Sequence, residues 1–289
     1  MIYQVSHTTT YDYDAPVVAS FAELRQLPCN LDGQACLHRA ITTDPVADHL
    51  REHRDYFGNL AAVVVVREEH TQLVVTSTSM VDTAGRPTAF GDDGRRPWRS
   101  YTVADAPPDD LTAVEFTLDS PLVTRSEQLA EYARPSFGHD ASLADGVMSL
   151  CARIHADFEF DVKATEIDTP IADVMALRKG VCQDFAHVMI GALRSLGVPA
   201  AYVSGYLETL PPPGRARLTG ADRTHAWVGV SLGGGRWIGI DPTNNQVAGQ
   251  RYVTTARGRD YADVPPLKGV IFTDAETSRL TVSVDVVAQ

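Results

Sequence analysis

One stretch constrains this chain more than any other. Cys182, Phe185, Ala186, Met189, Ile190, Leu193 and Leu196 recur at three- and four-residue spacing, starting just after Gly180 and stopping at Gly197, with Pro199 beyond. That periodicity predicts a helix with one wide apolar face, started after one glycine and ended at the next. Such a face must be buried against another layer. The chain that follows offers one: Tyr202 to Leu207, Ala226 to Leu232 and Arg236 to Ile240 read as strands, and the last two flank Gly233-Gly234-Gly235 as a hairpin. A helix beside antiparallel strands makes this part α+β.

The segment before it is also helical. Leu143, Val147, Leu150 and Ile154 give Ser142 to Ala156 one buried face, and Pro170 to Leu177 reads as a shorter helix closed by Gly180. The first hundred residues instead predict β structure. Ala61 to Arg67 and Gln72 to Met80 form two Val/Thr-rich runs separated by four residues, the pattern of a hairpin. Tyr3 to Tyr13 and Ala35 to Thr43 are further strands, the second stopped by Asp44-Pro45. Gly91 to Pro97 and Asp105 to Asp110 read as surface loops. With 289 residues, 44% of them hydrophobic and 21% charged, the chain is long enough for two folded units. We place a β-rich domain at residues 1–125 and an α+β unit at residues 126–289.

Charge narrows the partners. Asp plus Glu is 37 against 25 for Lys plus Arg, a net −12, and an acidic surface of that size repels phosphate backbones and anionic headgroups. The expectation is therefore no nucleic acid and no membrane. The N-terminus shows neither a basic start nor a long apolar run, and no stretch approaches the roughly 20 apolar residues of a membrane span, so the expected location is cytoplasmic. Cys29, Cys36, Cys151 and Cys182 are too few and too scattered for a disulfide framework and should be free thiols.

One of those thiols is placed for chemistry. Cys182 falls in the first turn of the striped helix, where unpaired backbone N–H groups and the helix dipole favour a negative sulfur. The competing reading is a small apolar residue capping a core helix. His187, five residues on, lies about 140° around the helix from Cys182 and reads as a packing residue. His225 opens a strand and is the better base. Asp241 ends the partner strand. An odd-length loop at the glycines would put it on the face of His225, where a carboxylate fixes the imidazole tautomer, and a two-residue loop would put it on the other face. The plainer reading of Asp241 is a turn-starting Asp-Pro.

Read in order, Gly180-Val-Cys182-Gln-Asp-Phe-Ala-His187, Arg194-Ser-Leu-Gly-Val-Pro-Ala, Tyr202-Val-Ser-Gly-Tyr206-Leu, His225-Ala-Trp227 and Asp241-Pro-Thr-Asn244 resemble the bacterial transglutaminase-like cysteine enzymes. Tyr11-Asp-Tyr-Asp-Ala-Pro16, Leu24-Arg-Gln-Leu-Pro28 and Phe57-Gly-Asn59 resemble, more loosely, that family's β-rich amino-terminal domain. The resemblance implies a papain-like core, with a Cys-bearing helix packed on an antiparallel sheet that carries the His and Asp. It also implies a triad of Cys182, His225 and Asp241. Gly258 to Pro266 matches a further family segment with no role assigned. Trp227 and Tyr206 are placed to wall a cleft, though aromatics beside a core strand more often pack.

The chemistry implied is acyl transfer through a Cys182 thioester on a glutamine carboxamide or peptide amide, needing no cofactor and no metal. The expected partner is a protein, peptide or small amide, with an amine as the co-substrate if the enzyme transfers. The rival readings are a cysteine protease or amidase, in which water resolves the same intermediate, and a non-catalytic binding module. The backbone N–H of Cys182 is the first oxyanion donor, and the second is sought in Phe158 to Val162. Other signals are weak. His49 and His53 lack the order of a zinc helix and fall in a Pro-bounded loop region, while Tyr11 to Asp14 and Asp105 to Asp110 lack the ligand spacing of a calcium loop. Gly233-Gly-Gly235 joins strands and opens no phosphate-binding helix.

Overall fold

A computed structural model describes residues 1–102, 111–209 and 222–289. The predicted Asp105 to Asp110 loop lies outside the described residues. The fold is α+β, built as an N-terminal β half-barrel beside helices packed on an antiparallel sheet. The first sheet contains β1 (Ile2–Leu24), β2 (Ala35–Asp44), β3 (His49–Arg54), β4 (Leu60–Val66) and β5 (His70–Asp82). A connecting region follows with α1 (Leu111–Glu115), α2 (Glu127–Ala133), α3 (Leu143–Asp157), β6 (Glu159–Phe160), α4 (Ile171–Leu177), β7 (Lys179–Gly180) and α5 (Cys182–Ser195). The second sheet comprises β8 (Ala200–Leu207), β9 (Thr224–Gly233), β10 (Arg236–Asp241), β11 (Gln246–Val247) and β12 (Tyr252–Gly258), and the chain ends with β13 (Leu267–Thr273) and β14 (Ser278–Ala288).

The 23-residue β1 organises the first sheet. On one side its two halves pair with β5 and β4, and on the other with β14 and β13, always antiparallel. The predicted hairpin of Ala61 to Arg67 with Gln72 to Met80 therefore does not form. Those runs lie end to end along β1, because a strand that long offers both of them a partner and the residues between them bend without reversing the chain. His49 and His53 sit on β3, a strand, where the sequence reading had a loop.

The larger difference concerns the last residues. The sequence reading keeps residues 126–289 together, but β13 and β14 return to pair with β1 in the first sheet. Nothing local marks that return, since alternating Val, Ser and Thr fit either sheet. The consequence is a shared core. Tyr3, Val5, Val81, Val284 and Val286 of the first sheet pack on Tyr206 and Val253 of the second.

The second sheet runs β11-β10-β9-β8-β12, and α5 packs across β8 and β9. The predicted stripe is the buried face, with Phe185, Ala186, Met189, Ile190 and Leu193 almost free of water. Fully burying a Leu, Ile, Met or Phe stabilises by roughly 1.5–3 kcal/mol, so this one face holds the helix firmly to the sheet. α3 begins at Ser142, whose side chain accepts from the Asp145 N–H, and ends at Asp157, close to the predicted limits. α4 ends at Leu177 as predicted, but the residue that closes it is Arg178 at φ 55°, not Gly180. That left-handed conformation is held by the guanidinium stacking over Tyr132 and Phe158 at 4.9 and 4.8 Å.

Candidate active site

Cys182 is the first residue of α5, as the stripe predicts. Val181 precedes it and has no side-chain acceptor, so the helix start is tied by the side chain of Asp184, which accepts from the Val181 N–H at 2.8 Å and from Thr165 Oγ1 at 2.7 Å. Burial raises the Asp184 carboxyl above its usual range, with these hydrogen bonds opposing it. Gly180 is required here for space. A Cβ on it would lie 2.5 Å from the Asp184 carboxylate oxygen. The N–H of Cys182 has no acceptor among the described residues and points from the helix start, which suits it to hold a developing oxyanion.

His225 stands at the start of β9 and donates Nε2–H to Asp241 Oδ2 at 2.7 Å. Cys182 lines the same cleft and acts on the charge state of the ring. Burial works to lower the imidazole pKa, but the hydrogen bond to Asp241 and the charges of Asp241 and Cys182 outweigh it and push His225 up to about 10. Asp241 is 0% exposed, and His225 is 11% exposed. Burial alone would raise the carboxyl, yet its hydrogen bonds from His225, Asn244 and Tyr252 hold it below the usual range.

The loop that decides this geometry is neither of the simple cases. Gly233 pairs with Arg236, leaving a two-residue turn of Gly234 and Gly235, both at positive φ. Alone, that turn would put His225 and Asp241 on opposite faces. A register shift follows at once: Trp237 pairs with Ser231, so Leu232 is an extra residue in β9. The bulge restores equal parity, and Asp241 faces the same side as His225.

Other residues complete the set. Tyr252 donates its O–H to Asp241 Oδ2 at 2.6 Å and accepts from Gln246 Nε2 at 2.6 Å. Asn244 donates its side-chain N–H to the same oxygen at 2.7 Å, while the Thr243 and Asn244 backbone N–H groups bond Oδ1 at 2.9 and 3.2 Å. Sequence reasoning missed Tyr252, because only the pairing of β12 with β8 brings it near. Asn244 stood in the quoted Asp241 to Asn244 segment without a role. Trp227 and Tyr206 are buried packing residues; Trp227 packs edge-on to Tyr252 and Tyr206 donates to the Gln26 carbonyl at 3.0 Å. His187 is buried and accepts the Tyr261 N–H at 3.2 Å. That contact gives the Gly258 to Pro266 segment a structural role, since it seats a one-turn helix at Tyr261–Asp263 and brings Tyr261 to the cleft.

The cleft holds about 1070 Å³. Cys182, His225 and Asn244 line it, with Phe160 and Val162 from the segment where a second oxyanion donor is expected. In that segment the N–H groups of Glu159 and Asp161 are used by the carbonyls of Arg178 and Gly180. The first sheet contributes His7, Thr9, Tyr11, Leu280 and Val282 to the lining. These continue the face that packs on the second sheet at Tyr3, Val5, Val284 and Val286. Among the described residues no cluster of three metal-ligating side chains occurs, and no helix is long and apolar enough to cross a membrane.

Comparison with known proteins agrees with this architecture. Residues 3–82 match the bacterial transglutaminase-like N-terminal region, and residues 130–242 match the transglutaminase-like superfamily. An uncharacterised protein of Mycobacterium tuberculosis is 42% identical over 291 residues, covering 99% of this chain and 92% of its own. An uncharacterised protein of Mycobacterium leprae is 32% identical over 270 residues, covering 92% of each. A protein-glutamine gamma-glutamyltransferase of Pseudomonas aeruginosa is 33% identical over 131 residues, 44% of this chain and 19% of that protein. The crystal structure of a candidate cysteine protease from Cytophaga hutchinsonii has the same fold, with a TM-score of 0.71 at 22% identity over 98% of this chain and 90% of that one. The chain belongs to the transglutaminase-like superfamily, with a bacterial transglutaminase-like N-terminal region ahead of the core.

Proposed function

We propose that this protein transfers acyl groups through a thioester on Cys182, acting on a glutamine carboxamide or peptide amide. The observation that carries the reading is that His225, hydrogen-bonded to the buried Asp241, shares one cleft with Cys182 at a helix start with a free N–H. His225 takes the Cys182 proton, and the sulfur attacks the carbonyl carbon to form a C–S bond. The tetrahedral oxygen accepts from the Cys182 N–H. His225 then protonates the leaving nitrogen as the C–N bond breaks, giving the thioester and free ammonia or amine. Asp241 holds the ring in place and offsets its positive charge throughout. A primary amine resolving the thioester forms a new amide, and water forms an acid.

Hydrolysis is the second reading, favoured by the half-buried Cys182 opening on a wide cleft that water enters. Mass spectrometry of a glutamine peptide incubated with the protein, with and without a primary amine, separates the cases. An amine adduct supports transfer. Deamidation or cleavage in both samples supports hydrolysis. An unchanged peptide, or equal turnover by Cys182→Ala, refutes the proposal.

A further inference from the structure

One wall of the cleft ends in a strand edge that is partly unpaired among the described residues. Immediately flanking β14, Thr277 and Gln289 bond β1, the first through its carbonyl to the Asp14 N–H and the second through its N–H to the Ile2 carbonyl. Backbone groups alternate sides along a strand, so odd residues of β14 face β1 and even residues face outward. Two contacts on the far side agree: the Val284 carbonyl accepts from the Asp222 N–H at 3.2 Å, and the Val286 N–H donates to Asp222 Oδ2 at 2.7 Å. The register with β1 is unbroken from Ser278 to Ala288, so Leu280 and Val282 also face outward. Their N–H and C=O groups have no partner among the described residues.

Both residues line the same cleft as Cys182 and His225, and they are 55% and 48% exposed. The exposed Phe160 and Val162 line it as well. A bare apolar edge is ordinarily shielded by charge, proline or a bulge, because it templates pairing with another strand. Here the edge is already bonded to Asp222 at Val284 and Val286, and its continuation at Leu280 and Val282 lines the cleft that Cys182 also lines.

We propose that the acyl donor is an extended peptide segment with apolar residues, which adds as a strand to the open edge of β14 at Leu280 and Val282 and so presents its carbonyl to Cys182. Main-chain hydrogen bonds to β14 supply binding, and alternate side chains fall between Leu280 and Val282 on one lip and Phe160 and Val162 on the other. A small free amide lacks these contacts and is the poorer substrate. This rests on Cys182 being the nucleophile, as proposed above.

The test scans the substrate. A panel of acetylated heptapeptides with one central glutamine and apolar flanks is turned over by the wild-type protein, and each backbone N–H is methylated in turn. A strand partner bonds β14 through every second residue, so kcat/KM should fall by roughly tenfold or more at alternate positions and little at those between. On the protein, Leu280→Pro removes one outward donor and no bond to β1, which edge strands tolerate, and should raise KM more than it lowers kcat. Iodoacetamide labelling of Cys182 in the same preparations reports on the nucleophile separately. Rapid labelling with a flat methylation scan overturns the β14 proposal and leaves the thioester reading intact, whereas no turnover of any peptide in the panel overturns both. Labelling of Cys182 no faster than that of Cys36 sinks both.

Discussion

Replacing Asp241 by Asn tests the centre of the site with the smallest change of shape. In the native protein the buried carboxylate accepts five hydrogen bonds: three on Oδ2, from His225, Asn244 and Tyr252, and two on Oδ1, from the Thr243 and Asn244 backbone. An Asn side chain has one oxygen and one NH2. If its oxygen replaces Oδ2, the NH2 confronts the two backbone N–H groups. The flipped amide confronts three side-chain donors. Either way at least two buried donors lose an acceptor, at about 1–3 kcal/mol each, so Asp241→Asn should destabilise by roughly 2–6 kcal/mol. The lower end is expected, because the Tyr252 hydroxyl can rotate and His225 can change tautomer. The charge also disappears, and His225 should titrate at lower pH than in the native protein. Turnover should fall by about 10² to 10⁴, as when other orienting carboxylates are replaced. Urea unfolding, an NMR titration of the His225 ring and product mass spectrometry read the three quantities. A folded variant with an unchanged His225 titration and more than a tenth of native turnover would refute the orienting role.

Tyr252→Phe removes one donor from the same carboxylate and should cost about 1.5–3 kcal/mol in urea unfolding, with a smaller loss of turnover than Asp241→Asn. Limiting iodoacetamide at pH 6 should label Cys182 first: Cys29 and Cys151 are buried, burial pushes the Cys151 thiol up to about 12, and burial also raises that of Cys36. Peptide mapping should find that His225→Ala slows the labelling of Cys182, and equal labelling of Cys36 would contradict the assignment. Burial lowers the imidazoles of His7 and His187 to about 4, so the unfolded chain binds their protons first as pH falls. Stability should therefore drop between about pH 6.5 and 4, by up to roughly 2.7 kcal/mol per unit for two protons. Urea midpoints at pH 7 and pH 5 check this, and His187→Gln, which still accepts the Tyr261 N–H, should flatten the drop.

The site was legible in the sequence where short-range rules govern it. An apolar stripe bounded by Gly180 and Gly197 specified α5 and set Cys182 at its first turn, because helix periodicity and termini are local properties. His225 and Asp241 were legible as strand-end residues of one hairpin. Their common face was not, since it depends on the bulge at Leu232, and a single extra residue reverses every side chain beyond it. Tyr252 was hidden for a related reason: it reaches Asp241 through the sheet order, which no spacing in the sequence records.

The sequence by itself thus determined element types, the α5 boundary and the residue types available for thiol chemistry. Only the tertiary structure decided which strands pair. β4 and β5 read as a hairpin but share β1 end to end, and β13 and β14 cross from the second unit to the first sheet. Strand propensity reports only that a segment suits a pleated, half-buried surface, and it carries no partner's address. The partner is chosen by the apolar face the whole chain can bury together, here Tyr3, Val5, Val284 and Val286 against Tyr206 and Val253, and that same choice leaves Leu280 and Val282 exposed in the cleft that Cys182 lines.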